Sequence, residues 1–449
     1  MTVTTPVTAP HGPSTGTGRR RAKRVDFESE AIRSLRDWKQ ETAETSHATP
    51  ASWYTSPDVF ELECRQLFAT TWHIVGHADK LASPGDYFTV ELLGLPIIVN
   101  RDRHGEVHAI SNVCRHRAAP VTVGEGNSKF GFSCLYHGWS YNHDGTVRSC
   151  SGMDDAADFD VKDIQLPTYD VRVWEKWVFV APAQGAPDFD EWIETTAFRA
   201  ARYNMGELEF HGARRYVLPI NWKLMNDANH ESYHVPFVHP GLVSAYNVAG
   251  NFGVVSQDDL RGEDGVERGA NMSPDVNGYT HMASDISGEL LAMEPNPRGP
   301  FSKVIAALGG TADYRKIKPP LACLEGRDQL AHYFLFNWPG LSHFHFMPDG
   351  LGLILLVPID HQNTEVYVEW WMPKVEKFDE RLLQAALIVF GNQILDEDGA
   401  MTQLVQHGLE SGAYDTGRLA PTEEGLLFAY NDWYIKQLQA GLKREEAVR

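Results

Sequence analysis

Five cysteines in 449 residues are too few for a disulfide framework, and no apolar run approaches the length that spans a bilayer. A glycine-rich phosphate loop is missing too. Gly12, Gly16 and Gly18 do not sit between a strand and a helix, so no NAD or FAD fold is visible and any hydride donor must act through another protein. Positive charge is scarce: 40 Lys and Arg face 60 Asp and Glu, a net charge of −20 that argues against nucleic acid and anionic membranes as partners. Cys64, Cys150 and Cys323 are scattered, which suits reduced thiols and the cytoplasm. What is present is ordinary globular composition, 43% apolar and 22% charged, enough for two or three domains. The first 50 residues differ. Rich in Thr, Pro and Gly, they are expected to form a mobile tail, and the basic run Arg19–Arg24, with no apolar stretch after it, reads as a solvated patch.

Against this background two Cys/His pairs stand out. Cys114-Arg-His116 and Cys134-Leu-Tyr-His137 are separated by seventeen residues and together offer two thiolates and two imidazoles. Such a set binds metal, as one tetrahedral zinc or as a [2Fe–2S] cluster with both Cys on one iron and both His on the other. Each loop supplies one Cys and one His, as a cluster with unequal irons requires, whereas zinc fingers tend to group like ligands. Gly131, Tyr136, Gly138 and Trp139 lie in or beside these loops, where backbone N–H groups turn toward sulfur and a hydroxyl can tune a potential.

The surrounding pattern predicts an α+β protein. Helical spacing in the segment from Ser52 to Trp72 precedes short strands with Gly and Asp turns, which make a small antiparallel β domain ending near Trp174–Ala183. The boundaries expected are 1–50 for the tail, 51–187 for the cluster domain with its N-terminal helix, and 188–449 for a second domain. In that second domain the run from His332 to Lys374 alternates as strands with one buried face, and residues 375–408 and 422–446 repeat at helical spacing, suited to covering the sheet. The polar stretch 252–296 reads as a substrate-access loop or as a surface excursion.

A second ligand set lies in NWKLMNDANHESYHVPFVHPGL. His234 and His239 have the look of the two imidazoles of a facial triad, the arrangement that leaves open positions on Fe(II), with a carboxylate to be supplied from elsewhere. Glu231, three residues before His234, shares its face if the segment is helical.

The run CRHRAAPVTVGEGNSKFGFSCLYHGWSYNHDG resembles the Rieske domain of Rieske non-haem iron oxygenases, the ring-hydroxylating dioxygenase and monooxygenase family. The likeness extends from residue 53 to about 440. It implies a small antiparallel β Rieske domain followed by a helix-covered antiparallel sheet of helix-grip type, a [2Fe–2S] cluster on Cys114, His116, Cys134 and His137, and Fe(II) on His234 and His239. The resemblance also implies a third iron ligand in FGNQILDEDGAMTQLVQHG: Asp398 by the pattern running to Gln403, with Asp396 as the fallback. Glu231 stands where most relatives have Asp, the residue implied to couple an iron ligand to the cluster of a neighbouring subunit; Glu is familiar in members that oxidise quaternary ammonium substrates. A head-to-tail homotrimer, a separate NAD(P)H-dependent reductase and optionally a ferredoxin are implied as partners, with a β subunit left open.

Three functions stay open on the sequence. The leading one is hydroxylation of a small aromatic, optionally carboxylated substrate with O₂. An alternative is N-dealkylation or hydroxylation of a quaternary ammonium compound, for which Trp and Tyr residues offer cation-binding faces. A non-oxygenase electron-transfer or zinc-stabilised binding protein is the third. His343 and His345, two apart, are expected to share one side of a strand as polar lining or as a further metal pair.

Overall fold

In the computed structural model the described residues are 25–39, 42–231, 233–240, 279–284, 321–325, 332–421 and 423–447. The basic run Arg19–Arg24 and nearly all of the 252–296 stretch lie outside them. The chain divides into two compact units, one formed by Cys64–Phe189 and the other by Arg24–Glu63 together with Asp190–Arg449.

The first unit is antiparallel β structure. Its strands are β1 (His73–His77), β2 (Asp86–Leu92), β3 (Leu95–Arg101), β4 (Val107–Ser111), β5 (Glu125–Asn127), β6 (Phe132–Ser133), β7 (Ser140–Tyr141), β8 (Val147–Ser149), β9 (Thr168–Trp174) and β10 (Trp177–Ala181). Seven pair in the order β1-β10-β9-β4-β3-β2-β5, and β6-β7-β8 form a separate small sheet. Alternating apolar residues of β2, β3 and β10 bury Phe88, Ile97, Val99, Val178 and Val180 in one core, while Ile98, Ile110, Val121, Phe132, Trp139, Tyr141 and Leu166 enclose Cys114 and Cys134 in another.

The second unit carries a six-stranded antiparallel sheet, order β11-β16-β15-β14-β13-β12, built from β11 (Leu208–Leu218), β12 (Tyr279–Ser284), β13 (His332–Asn337), β14 (Ser342–Met347), β15 (Gly350–Asp360) and β16 (Asn363–Pro373). Its described helices are α1 (Glu30–Asp37), α2 (Ala51–Thr55), α3 (Pro57–Glu63), α4 (Asp190–Ala200 within a helix that begins at Phe189), α5 (Trp222–Asn229), α6 (Val235–Val238), α7 (Phe378–Glu410) and α8 (Gly425–Ala447). Helix α7 approaches the sheet closely because Gly391 has no side chain where the Trp370 ring lies; a Cβ there would collide with the indole. Gly399, two turns on, rests against Leu218.

The N-terminal boundaries expected from composition are corrected by the structure. Residues 25–50 are not all tail: Val25, Phe27, Ile32 and Leu35 are buried, Trp38 meets Trp53 edge-on at 5.3 Å, and Gln439 of α8 donates to the carbonyls of Leu35 and Trp38. Helices α2 and α3 likewise belong to the second unit, not to the cluster domain. Glu63 at the end of α3 explains why: its buried carboxylate accepts from Lys223 Nζ at 2.6 Å, Tyr434 Oη at 2.6 Å and Trp222 Nε1 at 2.9 Å. Removing α3 from this unit would strand the Lys223 ammonium, 2% exposed, without its counter-charge.

Candidate metal centres

The first centre sits on two loops with the same internal wiring. Cys114 N–H donates to Ala119 O and Cys114 O accepts from Ala118 N; Cys134 N–H donates to Trp139 O and Cys134 O accepts from Gly138 N. The residue four after each cysteine takes a left-handed backbone, Ala118 at φ +59° and Gly138 at φ +73°. Two equivalent turns thus present unequal ligands. The cysteines are buried, 3% and 5% exposed, while His116 and His137 stand at the rim with their Nδ1 atoms converging to 3.1 Å. Burial, and after it the neighbouring Cys114, raises the Cys134 thiol pKa, so a thiolate pair here needs the positive charge of a metal. A buried sulfur pair and an outward imidazole pair match a two-iron cluster with chemically different ends.

Supporting groups surround it. The His116 ring stacks on Trp139 at 4.8 Å, and Arg117 lies over the Tyr136 ring at 5.3 Å. Tyr141 was not singled out by the sequence pattern, yet its hydroxyl is 3.2 Å from Cys114 Sγ and accepts from the Arg115 N–H at 3.1 Å. Once Cys114 is a thiolate, as a metal ligand must be, the sulfur can only accept and the tyrosine proton faces it.

At the second centre His234 follows α5 and His239 follows α6, a four-residue turn opened by Val235-Pro236, where Pro needs no N–H partner. Asp398 arrives from α7. His239 Nε2 is 2.9 Å and His234 Nε2 is 3.4 Å from the same Asp398 oxygen, the two Nε2 atoms are 3.2 Å apart, and the three ligand atoms lie within 4.8 Å of one another. Burial opposes charging His234, but Asp398 and Glu231 outweigh it and lift its pKa to about 9; Asp398 raises His239 in the same way. Three side chains that converge and together favour added positive charge fit a divalent cation.

The structure brings Glu231, His234, His239 and Asp398 together and separates Asp396 from them. Glu231 holds the Nδ1 side of His234 and also accepts from the His234 backbone N–H at 3.1 Å. Asp396 instead meets Arg214 at 2.5 Å and is 55% exposed. Glu397, between the two candidates and given no role by the sequence pattern, reaches His239 Nδ1 at 2.9 Å. Helical phase alone distributes these three neighbours, a signal weaker than the ligand spacing. Asp227 is half-buried; desolvation holds its carboxyl up to about 7, and Tyr54 Oη donates to it at 2.6 Å. His343 and His345 form no ligand cluster among the described residues: His343 Nε2 bonds Gly340 O at 2.8 Å, and His345 stacks on Phe334 at 3.9 Å.

Comparisons with known proteins match both halves of the chain. Residues 71–170 match the Rieske [2Fe-2S] domain, and residues 205–440 match the ring hydroxylating alpha subunit (catalytic domain). Choline monooxygenase, chloroplastic, of Amaranthus tricolor is 26% identical over 392 residues, 86% of this chain and 76% of that protein. The glycine betaine monooxygenase oxygenase subunit of Pseudomonas aeruginosa (strain UCBPP-PA14) is 26% identical over 413 residues, 90% of this chain and 91% of its own. Among solved structures, a quaternary ammonium Rieske monooxygenase described for carnitine oxidation and inter-subunit electron transfer superposes with a TM-score of 0.67 at 21% identity, over 89% of this chain and 97% of that one.

Proposed function

The chain belongs to the ring hydroxylating alpha subunit family and is a Rieske oxygenase, and on that premise we propose that it oxidises a small quaternary ammonium compound by hydroxylation or N-dealkylation. One observation carries the choice over an aromatic substrate. The choline and glycine betaine monooxygenases align with this chain over most of both lengths. Glu231 supports the same reading, since the resemblance implies Glu at this place in members that oxidise quaternary ammonium substrates.

When bound, the cluster supplies a stored electron and the mononuclear iron supplies O₂ activation. The protein's own contribution is placement. We assign Cys114, Cys134, His116 and His137 to the cluster, and His234, His239 and Asp398 to the iron. His234, His239 and Asp398 would hold the iron by three side chains and leave part of its coordination open. Glu231 fixes the His234 imidazole through Nδ1, and we assign it the coupling of that ligand to the cluster of a neighbouring subunit in a head-to-tail homotrimer. Electrons come from a separate reductase partner, as Rieske oxygenases require. A quaternary ammonium group offers no hydrogen-bond donor, so its recognition rests on charge and aromatic faces, to which the carboxylates around the second centre add a negative field.

The test is product analysis with a supplied reductase, NAD(P)H and O₂. Choline, glycine betaine or carnitine should yield a hydroxylated product, or an amine with the matching aldehyde (formaldehyde where a methyl group is lost), in step with O₂ use. Turnover of naphthalene or benzoate with none of the ammonium compounds would reverse the assignment. Glu231→Gln should keep iron and sulfide content while slowing product formation at least tenfold; unchanged turnover would remove Glu231 from the electron path.

A further inference from the structure

Asp396, Glu397 and Asp398 are consecutive on α7, where each step turns the side chain by about 100°, so one helix surface sends three carboxylates in three directions. Asp396 goes to Arg214, Asp398 to the two Nε2 atoms, and Glu397 to the far side of His239. Both Glu397 oxygens are engaged: Oε2 lies 2.9 Å from His239 Nδ1, and Oε1 accepts from Gln393 Nε2, one turn earlier, at 2.9 Å. His239 is the more enclosed imidazole, 2% exposed against 20% for His234.

A neutral imidazole carries one proton, and its location decides whether this centre can bind metal. On Nε2, the proton would point at the Asp398 oxygen 2.9 Å away, and the resulting internal hydrogen bond would occupy two of the three ligand atoms. On Nδ1 it leaves Nε2 bare. We propose that Glu397 is a positioning residue that holds the His239 proton on Nδ1 and aims Nε2 at the metal, with Gln393 fixing Glu397 in turn. This makes His239 the rigid anchor of the centre. The inference rests on the assignment of His239 as an iron ligand.

The experiment measures Fe(II) affinity of the mononuclear site in the full cluster-loaded chain, by chelator competition, with Co(II) absorption as a second report on coordination. Glu397→Ala should weaken Fe(II) binding by about 10- to 100-fold and alter the Co(II) bands, the scale expected when a ligand histidine loses its carboxylate, with cluster content unchanged. Glu397→Gln, whose amide oxygen still accepts from Nδ1–H, should bind at least threefold more tightly than Glu397→Ala. A purely structural role would lower the unfolding midpoint without that ordering. Affinity within twofold of wild type for Glu397→Ala, or equal loss in Ala and Gln, would overturn the proposal. His239→Ala separates the premise: lost affinity supports His239 as a ligand, whereas wild-type affinity overturns the ligand assignment and the inference with it.

Discussion

Replacing Tyr141 by Phe removes one hydroxyl from the cluster loops and leaves the buried ring that packs among Ile98, Phe132 and Trp139. Because a metal-bound Cys114 is a thiolate that can only accept, the hydroxyl proton serves Cys114 Sγ at 3.2 Å while its oxygen accepts from Arg115 N–H. Burial, followed by the hydrogen bond to Cys114, keeps the phenol pKa raised, so it stays a donor at physiological pH. A donor near sulfur favours the reduced cluster, which carries one more negative charge. A hydrogen bond to a charged acceptor is worth about 1.5–3 kcal/mol and a neutral one about 0.5–1.5, so the difference between redox states is about 1 kcal/mol. For a one-electron couple, in which 59 mV is tenfold, that corresponds to a potential lower by about 40 mV. A redox titration followed by the electron paramagnetic resonance signal of the reduced cluster would measure it. An unchanged or raised potential, with cluster content intact, would refute the placement of the proton on the sulfur side.

Other parts of the fold make separate predictions. Asp398→Ala should lose the mononuclear iron and keep the cluster, while Asp396→Ala should keep both; metal analysis reporting the reverse would move the third ligand to Asp396. Lys223→Met leaves Glu63 as a buried, uncompensated charge and should cost about 3–5 kcal/mol in denaturant unfolding, with Glu63→Gln/Lys223→Met recovering most of it. Loss no greater in the single than in the double variant would contradict this. Asp227 has a folded pKa of about 7, above that of an unfolded Asp near 3.9, so its contribution to stability is present below about pH 4 and is lost as pH rises toward 7. Relative to Asp227→Asn, wild type should therefore lose about 2–4 kcal/mol between pH 4 and 8; parallel stability curves would show that Asp227 titrates normally.

The convergence of Cys114, His116, Cys134 and His137, and of His234 with His239, was legible because metal chemistry demands particular side chains at short separations, and local turns can bring these together whatever the rest of the fold does. The sheet of the second unit was legible in part: the apolar run over His332–Lys374 maps onto β13 to β16, but the single buried face expected of it is not found, since successive residues of β15 and β16 are buried on both faces. The N-terminal segment was not. Its Thr/Pro/Gly-rich start masked the apolar stripe of α1, and the partner of that stripe lies some four hundred residues away in α8, as Gln439 to Leu35 shows. Likewise α3 reads as a leader to the adjacent β domain until Glu63 is seen to meet Lys223 and Tyr434. The run Asp396-Glu397-Asp398 drew attention as a source of a carboxylate for the second centre, but only the phase of α7 against Arg214, His239 and His234 sends the three side chains to different partners.

The most direct measurement is a single turnover. Protein with both metal centres loaded is reduced anaerobically, mixed with glycine betaine, choline or carnitine, and given one pulse of O₂ while cluster absorbance and product are recorded. The account predicts reoxidation of the cluster together with a hydroxylated ammonium product, or an amine and its matching aldehyde, in wild type, and loss of that product in Asp398→Ala. Cluster reoxidation with no such product, or product undiminished in Asp398→Ala, would contradict it.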